Sequence, residues 1–228
     1  GIKKDDYEFR EWEPIFPKSR CPVYYLPARN SDDKDIRVTQ KTPEHHLREW
    51  VRHIDGLIDE RIDRRILVLT TSYKYQKYFL EHSKHSKYMI ANNKEDPEAP
   101  NAQEAFEDFI ASKPPTVLCS PSFGVGWDFK DDRCELLIIS KVPLKPPPTT
   151  SKLAQARFDQ DEEYFDQETM SDIEQAKGRL QRSDKDRGEI VIADGTWSWW
   201  AFKNSHLGSP NFVGSVRRVG TLPKAPER

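Results

Sequence analysis

Five short, unbroken apolar runs constrain this chain more than any other feature. "ILVLTTS" (66–72), "YMIAN" (88–92), "TVLCS" (116–120), "CELLIIS" (134–140) and "EIVIAD" (189–194) carry few charges or none inside them. A strand with one wet face alternates polar and apolar residues, whereas a run that is apolar throughout suits a strand covered on both faces. Between the runs the period changes. Leu47, Trp50, Val51, Ile54, Leu57, Ile58 and Ile62 recur at i, i+3, i+4 and i+7, with Thr42 at the N-cap position and Pro43 at the first helical one. A second helix is expected over about 74–82 and a third over 102–111, the latter opened by Asn101 and Glu104 as a capping box. Strands alternating with helices predict an α/β fold, a parallel sheet with helices on both faces. In such sheets ligands sit in loops at the carboxyl ends of the strands.

The flanks read differently. Residues 1–42 are rich in proline and charge and form an extended N-terminal connector, with one short run, Val23 to Leu26, between Pro22 and Pro27. Prolines on both sides limit that run to an edge element. The main domain is expected over 43–206, including helical sequence to about Phe165 and a further helix from about Ser171 to Arg182. The tail, 207–228, is rich in glycine, proline and basic residues and reads as irregular.

Charge excludes some function classes. The 36 Lys and Arg balance 38 Asp and Glu, so any nucleic-acid or membrane partner must be met by a local patch rather than by net charge. Three cysteines, Cys21, Cys119 and Cys134, fall in no C-x-x-C pair, which fits a reducing, intracellular compartment, cytoplasmic or nucleoid-associated. No apolar run approaches the roughly 20 residues of a membrane helix, and the first ten residues are charged, unlike a signal peptide.

Candidate chemistry concentrates in "GRLQRSDKDRGEIVIAD" (178–194). On a helix at about 100° per residue, Gln175, Gly178, Arg179 and Arg182 share one arc, opposite Ile173, Ala176 and Leu180. Gly178 costs that helix about 1 kcal/mol relative to alanine, a cost offset if something bulky must come close. Guanidiniums are planar forks suited to phosphate oxygens. The same spacing also suits surface arginines paired with Glu174, Asp184 or Asp186.

"QAKGRLQR" (175–182), followed by "SDKDRGEIVIAD", resembles motif VI of superfamily 2 helicases in the XPD/DinG-like branch. "SFGVGWDF" (122–129) looks like that branch's motif V, "LLIISKVPLKPP" (136–147) like the strand and proline turn that follow, and "LVLTTSY" (67–73) like its motif IV region. "PIFPKSRCPVYYLP" (14–27) is faintly similar to the entry into the second motor domain. Val125 stands where the family has an acidic residue, Trp127 replaces a small aliphatic one, and "GTWSWW" follows Asp194 in place of a basic dipeptide.

The resemblance implies a second RecA-like motor domain of an ATP-dependent DNA helicase, with a place in DNA repair. Arg182 then takes the arginine-finger position with Arg179 and Gln175 assisting. Gly126, Asp128 and Gly178 line the ATP cleft, and Ser72 and Tyr73 lie near single-stranded DNA. ATP and Mg²⁺ are held mainly by a first RecA-like domain, in cis or in trans. No G-x-x-x-x-G-K-[ST] motif occurs, so the ATP-binding half is expected in a longer parent chain, and this portion alone should not hydrolyse ATP. An iron–sulfur cluster, common in the branch, belongs to the first domain and not to this segment. The rivals are a non-catalytic helicase-like module that binds nucleic acid or protein, and a helicase-like nuclease.

Other residues read as structural. His45, His46, His53, His82 and His85 are expected on the surface without a metal, and "DEEY" at Asp161 within a charged helix. Trp197, Trp199 and Trp200 are expected as apolar mass rather than base-stacking surfaces.

Overall fold

A computed structural model describes residues 18–124, 126–129, 132–146, 150–181 and 186–225. Arg182, Val125, Asp184 and parts of the connector, the proline turn and the tail lie outside the described residues. The strands are β1 (Val23–Tyr25), β2 (Arg65–Leu69), β3 (Met89–Ile90), β4 (Thr116–Ser120), β5 (Leu136–Ile139), β6 (Glu189–Ile192) and β7 (Val216–Arg218). The helices are α1 (Glu44–Asp59), α2 (Tyr73–His82), α3 (Ala102–Ala111), α4 (Lys152–Gln160), α5 (Tyr164–Leu180), α6 (Thr196–Asn204) and α7 (Pro210–Val213).

The strands form one sheet in the order β3-β4-β2-β5-β6-β1-β7, and every pairing is parallel. Successive residues of each central strand point to opposite faces, and the unbroken apolar runs therefore feed two cores. Ile66, Val68, Val117, Cys119, Leu136, Ile138 and Val191 pack with Trp50, Ile54 and Ile58 of α1 and with Tyr75 and Phe79 of α2. Leu67, Leu69, Leu118, Leu137, Ile139, Ile190 and Ile192 pack with Phe109 of α3, Ile173, Ala176 and Leu180 of α5, and Trp197 and Trp200 of α6.

Helix starts follow local chemistry. Asn101 and Glu104 form the expected capping box on α3. For α1 the N-cap is Pro43 and the helix begins at Glu44; Thr42 instead closes a turn, accepting from Thr39 N–H and donating to the Arg37 carbonyl. α5 begins at Tyr164, earlier than expected, and Asp161 lies in the turn before it rather than in a helix.

Both flanks join the sheet, which corrects the expectation of an edge element and an irregular tail. β1 is an interior strand, paired with β6 on one side and β7 on the other, and its three residues are buried. The prolines do not cap it at an edge because Pro22 needs only its carbonyl, which accepts from Ile190 N–H, while Leu26 and Ala28 donate onward to Ile192 and Ala193. The tail supplies α7 and β7, and Pro223 accepts from Arg61, which also forms a buried ion pair with Glu189.

Candidate functional site

The loops at the carboxyl ends of β2 and β4 are tied together by polar groups. Ser72 N-caps α2, accepting from Tyr75 N–H. The Tyr73 phenol shares a hydrogen bond with Ser122 Oγ at 3.0 Å, and Asn92 Nδ2 donates to both, at 3.4 and 3.2 Å. Asn92 Oδ1 accepts from Ser120 Oγ at 2.5 Å, and Gln76 Nε2 donates to the Asn92 and Cys119 carbonyls at 2.8 and 2.7 Å. Asn92 is 2% exposed, so this network holds Tyr73 half-buried, its phenol turned toward protein and the ammonium of Lys94 5.9 Å from its ring centre.

Beyond Ser122 the loop is pinned by aromatic packing. Phe123 and Phe129 are fully buried, and Trp127 packs between Phe106 and Phe123 with ring centres 4.9 and 4.8 Å away. That explains how the loop accommodates tryptophan in place of a small residue. Gly126 has φ +94°, a conformation that side-chain-bearing residues rarely adopt. Asp128 follows it, half-buried.

The end of α5 departs from the expected arc. Gln175 and Gly178 are exposed on one side; the Gln175 amide donates to Ser171 Oγ, and a Cβ added at Gly178 would meet nothing within 4 Å. Arg179 is 7% exposed, with Nε donating to the Gly124 carbonyl at 2.9 Å and Nη1 to the Trp127 carbonyl at 2.6 Å. It stands only about 60° round the helix from Ala176, close enough to the apolar stripe for its stem to lie under the loop while the guanidinium holds carbonyls. Thus Gln175 and Gly178 sit together at the open face, Arg179 joins that helix to the Gly124–Asp128 loop, and Tyr73, next to the capping Ser72, meets the same loop at Ser122.

Three residues near these loops were not singled out by motif. Asp194 is fully buried and accepts from the N–H groups of Val38, Val142 and Thr196 at 3.3, 2.9 and 2.9 Å. Burial pushes its carboxyl above the usual range, against the pull of those donors. Burial likewise lowers the Lys141 ammonium. Thr70 is 4% exposed and its hydroxyl has no hydrogen-bond partner. The acidic end of "EIVIAD" is a visible signal for the first; Thr70 and Lys141 have none, because a threonine after a strand and a lysine before a proline turn are ordinary surface choices.

The side residues divide. Trp197 and Trp200 are core, the latter donating to Asp166 at 2.8 Å, while Trp199 is 42% exposed beneath Arg37. His85 is not a surface residue, being 7% exposed beside Asp59, and His53 is half-buried, its Nε2 2.8 Å from the Leu26 carbonyl. No group of three or more metal-ligating side chains occurs among the described residues, and no helix there is long and apolar enough to cross a membrane.

A wholly parallel sheet with helices on both faces and loops gathered at the strand ends is a RecA-like α/β domain. Residues 57–205 match the family described as helicase C-terminal domain, and the chain belongs to that family. Among solved structures it is similar to one described as XPD_APO, with a TM-score of 0.61 at 15% identity over 87% of this chain and 39% of that chain. It is also similar to S. tokodaii Xpd4, with a TM-score of 0.58 at 15% identity over 88% of this chain and 38% of that chain. At such identity the likeness is one of fold, and this chain spans well under half the length of either. No curated protein matches.

Proposed function

We propose that this chain is the C-terminal motor domain of an ATP-dependent DNA helicase and completes an ATP site held mainly by a first RecA-like domain, in cis or in trans. One observation carries the reading: the helix bearing Gln175, Gly178 and Arg179 is joined through Arg179 to the loop of Gly126 and Asp128, and that loop is joined at Ser122 to Tyr73.

The residues present fit a phosphate-facing surface rather than a whole nucleotide site. The open face at Gly178 leaves room for close approach, and the chain has no phosphate-cradling glycine-lysine loop. Arg182 and Gln175 face the phosphates in this reading, Arg182 as the arginine finger, with Gly126 and Asp128 along the cleft. Arg179 assists by holding α5 against the loop. Mg²⁺, when bound with ATP on the first domain, neutralises charge on the phosphates. Ser72 and Tyr73 lie beside single-stranded DNA, and the shared loop relates cleft closure to that track.

The test is single-strand-stimulated ATP hydrolysis by the complete polypeptide, native against Arg182→Ala. A finger arginine is worth on the order of 10³ or more in rate, so the variant is expected to lose most turnover while still binding nucleotide. Equal rates would remove Arg182 from the ATP site.

A further inference from the structure

Helix α6 is apolar on two sides, and the fold covers only one. Trp197 and Trp200 pack into the core with Phe212 of α7, whereas Trp199 and Phe202, neighbours at i and i+3 on the other side, are 42% and 89% exposed. A helix that is apolar all round belongs under cover on both sides, and large aromatics gathered in water mark an interaction surface. The rim of this face is cationic. The Arg37 guanidinium stands 5.7 Å from the Trp199 ring centre, and Lys203 follows Phe202 on the helix. Among the described residues neither cation has a carboxylate partner, whereas Asp35 is paired with Arg218 and Glu163 with His206. An aromatic centre with an unpaired cationic rim fits an acidic segment that carries aromatic side chains.

The chain itself contains such a segment. "DDYEFREWEPIF" (5–16), outside the described residues, has five carboxylates against one arginine, with four aromatic side chains among them. Its point of attachment is on the right flank: the described chain begins at Lys18, and Cys21 and Val23 just beyond pack in the same core as Trp197 and Trp200, on the sheet face that α6 covers. Twelve residues extend to about 40 Å at most, while the nine of α6 span about 14 Å, so reach is no obstacle. We propose that residues 5–16 dock on the exposed face of α6, their aromatic side chains against Trp199 and Phe202 and their carboxylates toward Arg37 and Lys203. Docking there fixes the flank from which the chain enters the domain. It is independent of the helicase reading, since it uses none of the residues assigned to the ATP site or the strand.

The test is photo-crosslinking in the complete polypeptide with Phe202→benzoylphenylalanine, the products mapped by mass spectrometry. Intramolecular crosslinks to residues 5–16 are expected, with a yield that falls several-fold from low salt to about 1 M, where the screening length shrinks to about 3 Å. Arg37→Glu with Lys203→Glu is expected to lower the yield likewise at a near-native unfolding temperature, and Glu8→Lys with Glu11→Lys on that background to restore it. Should the charge-reversed variant unfold, the salt series on the folded parent decides. A yield indifferent to salt and to charge reversal would overturn the docking of an acidic segment. Crosslinks joining two copies would make the face a dimer surface, crosslinks to an added oligothymidylate in preference to residues 5–16 would make it a nucleic-acid platform, and no crosslink at all would leave it open to solvent; each would overturn the assignment.

Discussion

Replacing Arg179 by alanine separates two roles for a residue that its motif assigns to the phosphates. The guanidinium holds two backbone carbonyls, Gly124 at 2.9 Å and Trp127 at 2.6 Å, from a side chain only 7% exposed. Hydrogen bonds from a charged donor contribute about 1.5 to 3 kcal/mol each, and orphaned carbonyls add a desolvation penalty. Gly124 and Trp127 are themselves half-buried, so water reaches their carbonyls in part, and the lower end applies: about 3 kcal/mol for the pair. Urea unfolding of the polypeptide should show this loss in midpoint with little change in slope. Lysine at 179 should recover only part of it, because one ammonium cannot reproduce the fork. Gln175→Ala, on the exposed side of the same helix, should stay within about 0.5 kcal/mol of native. If Arg179→Ala were equally neutral, the guanidinium would not be holding the loop, and the physical link between α5 and the Gly126 turn would fall.

Two further outcomes are expected from other positions. Gly126→Ala should cost about 1 to 3 kcal/mol from backbone strain alone, since φ is +94° and an added Cβ meets no neighbour within 4 Å; an unchanged melting temperature would mean the turn is not held in this conformation. His53 is depressed below its ordinary 6.5, chiefly by burial and despite the hydrogen bond with the Leu26 carbonyl. The folded chain therefore binds fewer protons here than the unfolded one, and this contribution to stability is full above 6.5 and lost as pH falls toward the folded value. His53→Gln should flatten the acid side of the stability profile measured by thermal unfolding, and an identical profile would contradict it.

Much of the fold was legible because burial on both faces leaves a local mark. A strand such as "EIVI", with Ile190 and Ile192 in one core and Val191 in the other, has no polar face to show, and the helices between strands show one apolar stripe each. β1 showed as the short run from Val23 to Leu26, but its flanking prolines hid its interior place, and β7 left no such mark, being three residues long with two exposed arginines. The burial of Arg179 was equally hidden. Helical spacing puts it beside Gln175 and Gly178, but a long side chain is placed by what its tip reaches, and the Gly124 and Trp127 carbonyls are more than fifty residues away.

The sequence by itself determined the α/β class, the alternation of strand and helix, the capping box on α3, and the motifs by which the helicase likeness was recognised. Only the tertiary structure decided the strand order, the inclusion of both flanks in the sheet, the bond between α5 and the Gly126 loop, and the exposure of Trp199 and Phe202 on α6. The physical reason is range. Periodicity and capping act within a few turns of chain and are written there, whereas a parallel sheet joins strands only through crossovers, so its neighbours, and the loops gathered at its edge, are set by packing between distant segments.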